Sequence, residues 1–496
     1  MIRLIAPRAV PTVTRRAVLA YRFNSIKTNF HRPDQAGSHV PADAADATAT
    51  ILADQQDNKM PNKATWVDAL REREKQLAEG KVLDSYSYVT PKTTEVGEKT
   101  RGDSFSFLTL PFKEDKWLCD AYINAYGRLR AGQLFQDLDA LAGRIAYRHC
   151  SPAEPVNVTA SVDRIYMVKK VDEISNYNFV LAGAVTWTGR SSMEITVRGY
   201  AFEDQLPENI TEDTLPELNI FLTANFTFVA RNPLTHKSFA INRLIPISEK
   251  EWIDYRRAES HNAKKKLAAK SQRFIEPSDE ENRLINDMWK SSKTLDSTPK
   301  GVSFMKNTTL KSTLFMQPQY RNRHSYMIFG GYLLRQSFEL AYCASAAFAG
   351  TGPRFVSLDS TTFKAPVPVG AILSMEATVA YTEHIHDVGE TEADSPFNFT
   401  LPATNKISPS SDAFLSEPGT LVQVKVDTSI QNVEEDGKTE SGTFIYSFFV
   451  PKNSNGDEDP GYCSIIPQTY TEMMHYVEGR RRAQDTAQYV GTLPKY

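Results

Sequence analysis

The chain has 496 residues, enough for two or three domains with cores of their own. Its 57 basic and 60 acidic residues give a formal charge of −3, which offers no basic field to a nucleic acid. The four cysteines (Cys119, Cys150, Cys343, Cys463) show no CxxC spacing, so they read as reduced thiols, with no metal site and no cofactor expected.

Residues 1–33 carry Arg3, Arg8, Arg15, Arg16, Arg22, Lys27 and Arg32 and no Asp or Glu before Asp34. An arginine-rich, acid-free start without an apolar core fits a mitochondrial presequence, and implies the mitochondrial matrix. No apolar run approaches the roughly 18 residues of a membrane span, so none is expected. Residues 34–84 read as a linker rich in Ala, Asp and Gln, ending in a short amphipathic helix over Thr65–Ala78.

A first globular unit is expected over 85–245. It opens with a strand at Ser104–Leu110, continues through a pairing segment near Leu118–Ala125 and a helix over Gly132–His149, then strands near 157–168, 177–188, 191–202 and 220–230. Strand, helix and a run of antiparallel strands is an α+β pattern, not the alternation of a parallel sheet. Residues 246–300 are charged and helical, and read as a solvated connector. The second unit, 301–455, repeats the plan. It has a strand at 309–315, a helix at 331–347, and strands at 355–363, 371–382, 420–428 and 441–450, with a loop insertion at 385–418. The remainder, 456–496, holds a helix from Tyr470 to about Arg482 that packs through Met473, Met474 and Val477, and a tail.

The two helices look like one helix written twice. Setting Gly132 on Gly331 brings Leu141-Ala142 onto Leu340-Ala341, and both helices run into alternating segments, Val158–Ile165 and Val356–Phe363. A repeat of this length implies a pseudo-symmetric pair with a site at its seam. Gly132 and Asp139 are two turns apart on one face, continued by Ala142, Gly143 and Ala146. A carboxylate on such a small-residue face is either paired or works in a wet cleft. Asp137, about 200° round the helix, reads as solvated. His149 at the helix end reads as a cap on the last carbonyls rather than a catalyst.

The run Gly127–Cys150 with Gly132, Asp139 and Leu-Ala-Gly143 resembles the central helix of the hotdog-fold type II acyl-CoA thioesterases. Ile-Phe-Gly330-Gly331-Tyr-Leu-Leu-Arg335 with Glu339 resembles its partner. The basic N-terminus, Gln468–Met473 and Glu478–Arg481 are similar to the mitochondrial branch of that family. The resemblance spans roughly 85–496. It implies a double hotdog, two repeats of a central helix wrapped by an antiparallel sheet, that hydrolyses fatty acyl-CoA to free acid and CoA and forms a homo-oligomer.

The resemblance further implies that the acid of one helix works with the loop entering the other. Asp139 would then be base or nucleophile against Gly330-Gly331, and the glycine-opened helix starts, Gly132 included, would give oxyanion donors. Family members often place an asparagine just ahead of the glycine pair. Here Met327 stands there, with Asn322, His324 and Ser325 upstream, so Asn322 and His324 are the candidates. Glu339 is the catalytic candidate of the second helix, but it is offset by one from Asp139 in the repeat register, about 100° on the helix, so two readings stand, a second catalytic acid or an altered site. Arg128, Arg130, Arg321, Arg323 and Arg335 lie near the helix starts as candidates for the CoA phosphates. The competing readings are an enoyl-CoA hydratase or dehydratase and a non-catalytic acyl-CoA-binding or scaffold double hotdog. A serine hydrolase is excluded for want of a Gly-x-Ser-x-Gly elbow.

Overall fold

Alternating and β-branched segments pair into one continuous antiparallel sheet, and the two glycine- and alanine-bearing helices lie against it. The computed structural model describes residues 93–492 apart from 234, 272–274, 296–300, 323–326, 360, 386–414, 435–436 and 453–460. The presequence, the linker with its helix, most of the loop insertion, Arg323 and His324 therefore lie outside the described residues.

The first repeat comprises β1 (Ser106–Leu110), α1 (Lys116–Tyr122), α2 (Ala131–Cys150), β2 (Val156–Met167), β3 (Asn178–Thr188), β4 (Ser192–Phe202) and β5 (Ile220–Arg231). Helices α3 (Glu249–Ser271) and α4 (Asp279–Thr294) follow. The second repeat has β6 (Leu310–Phe315), α5 (Gly330–Ala349), β7 (Arg354–Leu358), β8 (Ile372–Ile385), β9 (Gly419–Gln431) and β10 (Thr439–Pro451), and the chain ends in α6 (Tyr470–Thr492).

The sheet runs β1-β3-β4-β5-β2-β7-β10-β9-β8-β6. Read outward from the seam between β2 and β7, both halves have the same strand order, so the duplication is topological as well as sequential. It extends to irregularities. β2 bulges between Thr159 and Ser161 and β7 between Phe355 and Ser357, which sets Ser161 on Ser357 and Asp163 on Asp359. The sheet halves join through Ser357–Tyr166 and Leu358–Ile165. This is a double hotdog of α+β class.

Helices α2 and α5 cross at close range because glycine faces the crossing on both. A methyl group on Gly331 would stand 3.0 Å from the Cα of Gln136, and one on Gly132 would stand 3.1 Å from the Phe338 ring. Phe135 and Phe338 meet edge to face at 5.1 Å beneath them, and Phe355 and Tyr446 complete the cluster.

Five features differ from the sequence reading. Leu118–Ala125 does not pair as a strand, because Asp115 accepts the Leu118 N–H (2.9 Å) and starts helix α1. Asp137 is buried, not solvated, and accepts from the Tyr122 hydroxyl on α1. His149 does not cap its own helix. Its ring bonds the Asn242 carbonyl (2.8 Å), and the Asn242 amide caps the helix end instead, donating to the His149 and Ser151 carbonyls. Nor is α3 solvated all round. Asp254, Ala258 and Asn262 are buried, with Asp254 taking Arg101 (2.9 Å) and Asn262 donating to Glu194 (2.8 Å). Helix α6 packs through Met473, Met474 and Val477 as expected but runs on past Arg482, carrying Tyr489 across the seam to Tyr166.

The glycines separate by what surrounds them. Gly143 has no atom within 4 Å of an added methyl, so Gly143→Ala should stabilise by about 0.5–1 kcal/mol through helix propensity alone. Gly331→Ala should lower the melting temperature despite the same propensity gain, because the added carbon meets the backbone of α2. Paired thermal melts of the two variants check both signs.

Candidate active site

Asp139 is fully buried at the middle of α2, and its carboxylate lies against the first turn of α5 from the other repeat. The Thr159 hydroxyl of β2 donates to Oδ1 (2.9 Å), and the Gly331 N–H donates to the same carboxylate. Oδ2 has no partner among the described residues. A methyl on Gly330 would stand 3.0 Å from Oδ2, so glycine is what lets helix start and carboxylate meet. Burial pushes the carboxyl up to about 7, against the two hydrogen bonds that lower it. A group poised there exchanges a proton near neutrality. No histidine hydrogen-bonds it among the described residues, and His149 is engaged with Asn242.

The pseudo-symmetric place is built differently. Glu339 of α5 approaches the start of α2, with Oε1 3.2 Å from a methyl position on Gly132. Arg130 holds that oxygen through Nε and Nη2, both at 2.9 Å, and both side chains are more than a third exposed. In strict register Phe338, not Glu339, matches Asp139, as the one-residue offset expected. The bulges set Phe355 where the first site has Thr159, so the hydroxyl clamp is missing here.

Beside Glu339 lies a cavity of about 300 Å³, lined by Leu129, Phe338 and Phe355 and by Asn124, Arg128, Arg130, Lys170, Asp172, Tyr342 and Arg354. Of the arginines proposed for phosphate, Arg128 and Arg130 line it, each with an acid at hand. Arg128 meets Asp172 (3.2 Å), and Arg130 meets Glu339. Arg335 instead donates to Gln136 of α2 (3.2 Å), Arg321 sits in the hairpin before α5, and Arg323 is not described. Lys170 and Arg354, which sequence reasoning missed, add two cations and share Asp172 and Glu417.

Asn322 is brought back to the helix start by a hairpin. Its N–H bonds the Met327 carbonyl (2.7 Å), Phe329 bonds Tyr320 (2.8 Å), and Arg321 bridges Ile328. The loop before α2 repeats this, with Asn124 to Arg128 (2.8 Å), Arg130 to Tyr122 (2.6 Å) and Ile123 bridging Leu129. Asn322 thus has a counterpart, Asn124, whose Oδ1 accepts the N–H groups of Tyr126 and Arg128. Asn124 and Thr159 were not singled out in the sequence. Asn124 lies 8 residues before Gly132 and Asn322 9 before Gly331, so strict repeat spacing misses it by one, and nothing local marks Thr159.

Because Asp139 binds its proton more tightly folded than unfolded, stability should fall as pH rises from about 4 to 7 and then level. Asp139→Asn keeps an oxygen for Thr159 and Gly331 without the buried charge. Its melting temperature should exceed wild type at pH 8 and converge with it near pH 4. A variant less stable at pH 8 would show the carboxylate to be compensated.

No family model matches the chain. The chain is 34% identical over 302 residues to acyl-coenzyme A thioesterase 4, mitochondrial, of Humulus lupulus, a match covering 59% of this chain and 55% of that protein. It is 28% identical over 429 residues to acyl-coenzyme A thioesterase 9, mitochondrial, of Homo sapiens, covering 83% of each. Among solved structures, an acyl-CoA hydrolase from Bacillus cereus is 27% identical, covers 36% of this chain and 99% of its own, and has a TM-score of 0.27. Over most of its length the chain is thus a relative of the mitochondrial acyl-coenzyme A thioesterases.

Proposed function

We propose that the chain hydrolyses fatty acyl-CoA thioesters to free fatty acid and CoA, in the mitochondrial matrix and as a homo-oligomer. Relatives along most of the chain are named mitochondrial acyl-coenzyme A thioesterases, and the arginine-rich N-terminus fits a mitochondrial compartment. The observation that carries the reading is Asp139. It is a buried carboxyl whose Oδ1 is held by Thr159 and whose Oδ2 is turned to the start of a helix from the opposite repeat, where the Gly331 N–H meets the carboxylate.

In this reading Asp139 takes a proton from water as the water oxygen attacks the thioester carbonyl carbon. The carbonyl oxygen gathers negative charge and is met by first-turn N–H groups of α5 and by the amide of Asn322. Collapse expels the CoA thiolate, which recovers the proton from Asp139. Glu339, tied to Arg130 and lacking a threonine clamp, serves the neighbouring cavity as a binding group.

Asp139→Asn should lower kcat by about 10²–10⁴ in an acyl-CoA hydrolysis assay on the purified chain. Glu339→Gln should raise KM and spare kcat, as loss of uniform binding does. Wild-type kcat/KM should climb with pH and level above about 7, where Asp139 is ionised. An Asp139→Asn enzyme with near-normal turnover, or a profile flat from pH 5 to 8, would overturn the assignment.

A further inference from the structure

The outer face of each half-sheet is covered by a long helix, α3 over the first and α6 over the second, and each has 23 residues. The two helices dock in the same register. Lys265 lies 16 residues after Glu249, and Thr486 lies 16 residues after Tyr470. Each meets the acid that the bulges make equivalent, Asp163 and Asp359 respectively.

In the first repeat this seat holds an ammonium group. Lys265 Nζ lies 2.6 Å from Asp163 Oδ1, 2.9 Å from Thr227 Oγ1 and 3.3 Å from Ser161 Oγ. Glu194 stands beside it, its carboxylate within 4.8 Å of that of Asp163, and takes the Asn262 amide. Strand pairing sets Thr227 on Ser161 and Glu194 on Thr227. In the second repeat the same pairing sets Ser447 on Ser357 and Gln423 on Ser447.

The second seat keeps the oxygens and changes the helix. Thr486 gives Asp359 Oδ1 one hydrogen bond (3.1 Å), while Ala483 replaces the Asn262 position. Four buried polar atoms have no hydrogen-bond partner among the described residues: Asp359 Oδ2, Ser357 Oγ, and both Oε1 and Nε2 of Gln423. Ser357 and Gln423 are wholly buried, and Asp359 is 5% exposed. Buried polar atoms are nearly always satisfied, and unsatisfied atoms on three residues that strand pairing makes neighbours beneath α6 call for a ligand. Arg164 and Arg482 act on Asp359 through space, opposed by Asp485, and neither arginine pairs with it.

We propose that this seat, between β7, β9, β10 and α6, binds a monovalent cation of ammonium or potassium size. Asp359, Ser357, Gln423 Oε1, Ser447 and Thr486 would supply its oxygens. The counterpart already accepts –NH3+, the donors are all hard oxygens, and a single carboxylate matches a single charge. The site lies on the outer face of the sheet, apart from Asp139, so it does not depend on the activity proposed above.

Thermal melts of the purified full chain at one ionic strength, in potassium, ammonium or tetramethylammonium chloride, test this. Tetramethylammonium is too large for the seat and has no donor. Potassium and ammonium should raise the melting temperature by about 2–4 °C over tetramethylammonium. Thr486→Lys supplies the side chain that the first repeat uses. It should melt in tetramethylammonium at least as high as wild type does in potassium, and should lose the salt dependence. Asp359→Asn should lose the dependence as well. Equal melting of wild type in all three salts would overturn the proposal, as would a Thr486→Lys variant that still answers to potassium.

Discussion

The structure depends on how closely α2 and α5 cross. Because Gly331 presents no side chain, the α5 backbone reaches the backbone of α2 at Gln136, and Gly132 admits Phe338 on the other side. That approach places the start of each helix under the middle of the other, where one carries Asp139 and the other Glu339. Acid and helix start therefore come from different repeats at both places. The seam between β2 and β7 follows from the same constraint, since two half-sheets wrapped on crossed helices bring these strands edge to edge. Joining them also removes two sheet edges that would otherwise invite pairing with other chains.

Features that live in local pattern were legible in the sequence. The long helices, nine of the ten strands within a few residues and the Asp139 face come from periods of 3.6 and 2, which the chain obeys wherever one side is buried, whereas α1 falls on a segment expected to pair as a strand. The tenth, expected at 355–363, is β7 and a short strand at Thr361–Thr362. What escaped depends on partners far away in the chain. Asp137 looks solvated by helical angle, yet α1 covers it and supplies Tyr122. His149 looks like a cap, yet Asn242, 93 residues on, takes that role. Asn322 is named in the sequence as a candidate upstream of the glycine pair, but its bond to the Met327 carbonyl is set by the fold. Thr159 could not be read at all, because its partner is set by strand register and a bulge. The charged composition of α3 pointed to solvent, whereas its Asp254 takes Arg101 and its Lys265 reaches Asp163 on the sheet.

Fusion of two repeats into one chain lets them diverge, which a symmetric pair of identical subunits cannot do, since there every substitution acts twice. Three of the divergent positions change polarity or charge. Thr159 faces Phe355 across the pseudo-symmetry, Lys265 faces Thr486, and Glu194 faces Gln423.

Energetics gives a reason for keeping one site and altering the other. A buried carboxyl held at about 7 destabilises the fold at neutral pH, and a domain has only about 5–15 kcal/mol to spare. Two such groups at one helix crossing would add their desolvation costs and repel each other. Moving the second acid one position along α5 turns it about 100° round the helix, out to where Arg130 and solvent meet it. A half-exposed ion pair of that kind is close to neutral for stability. The chain thus carries one costly carboxylate at the crossing, and the other repeat opens the cavity beside it.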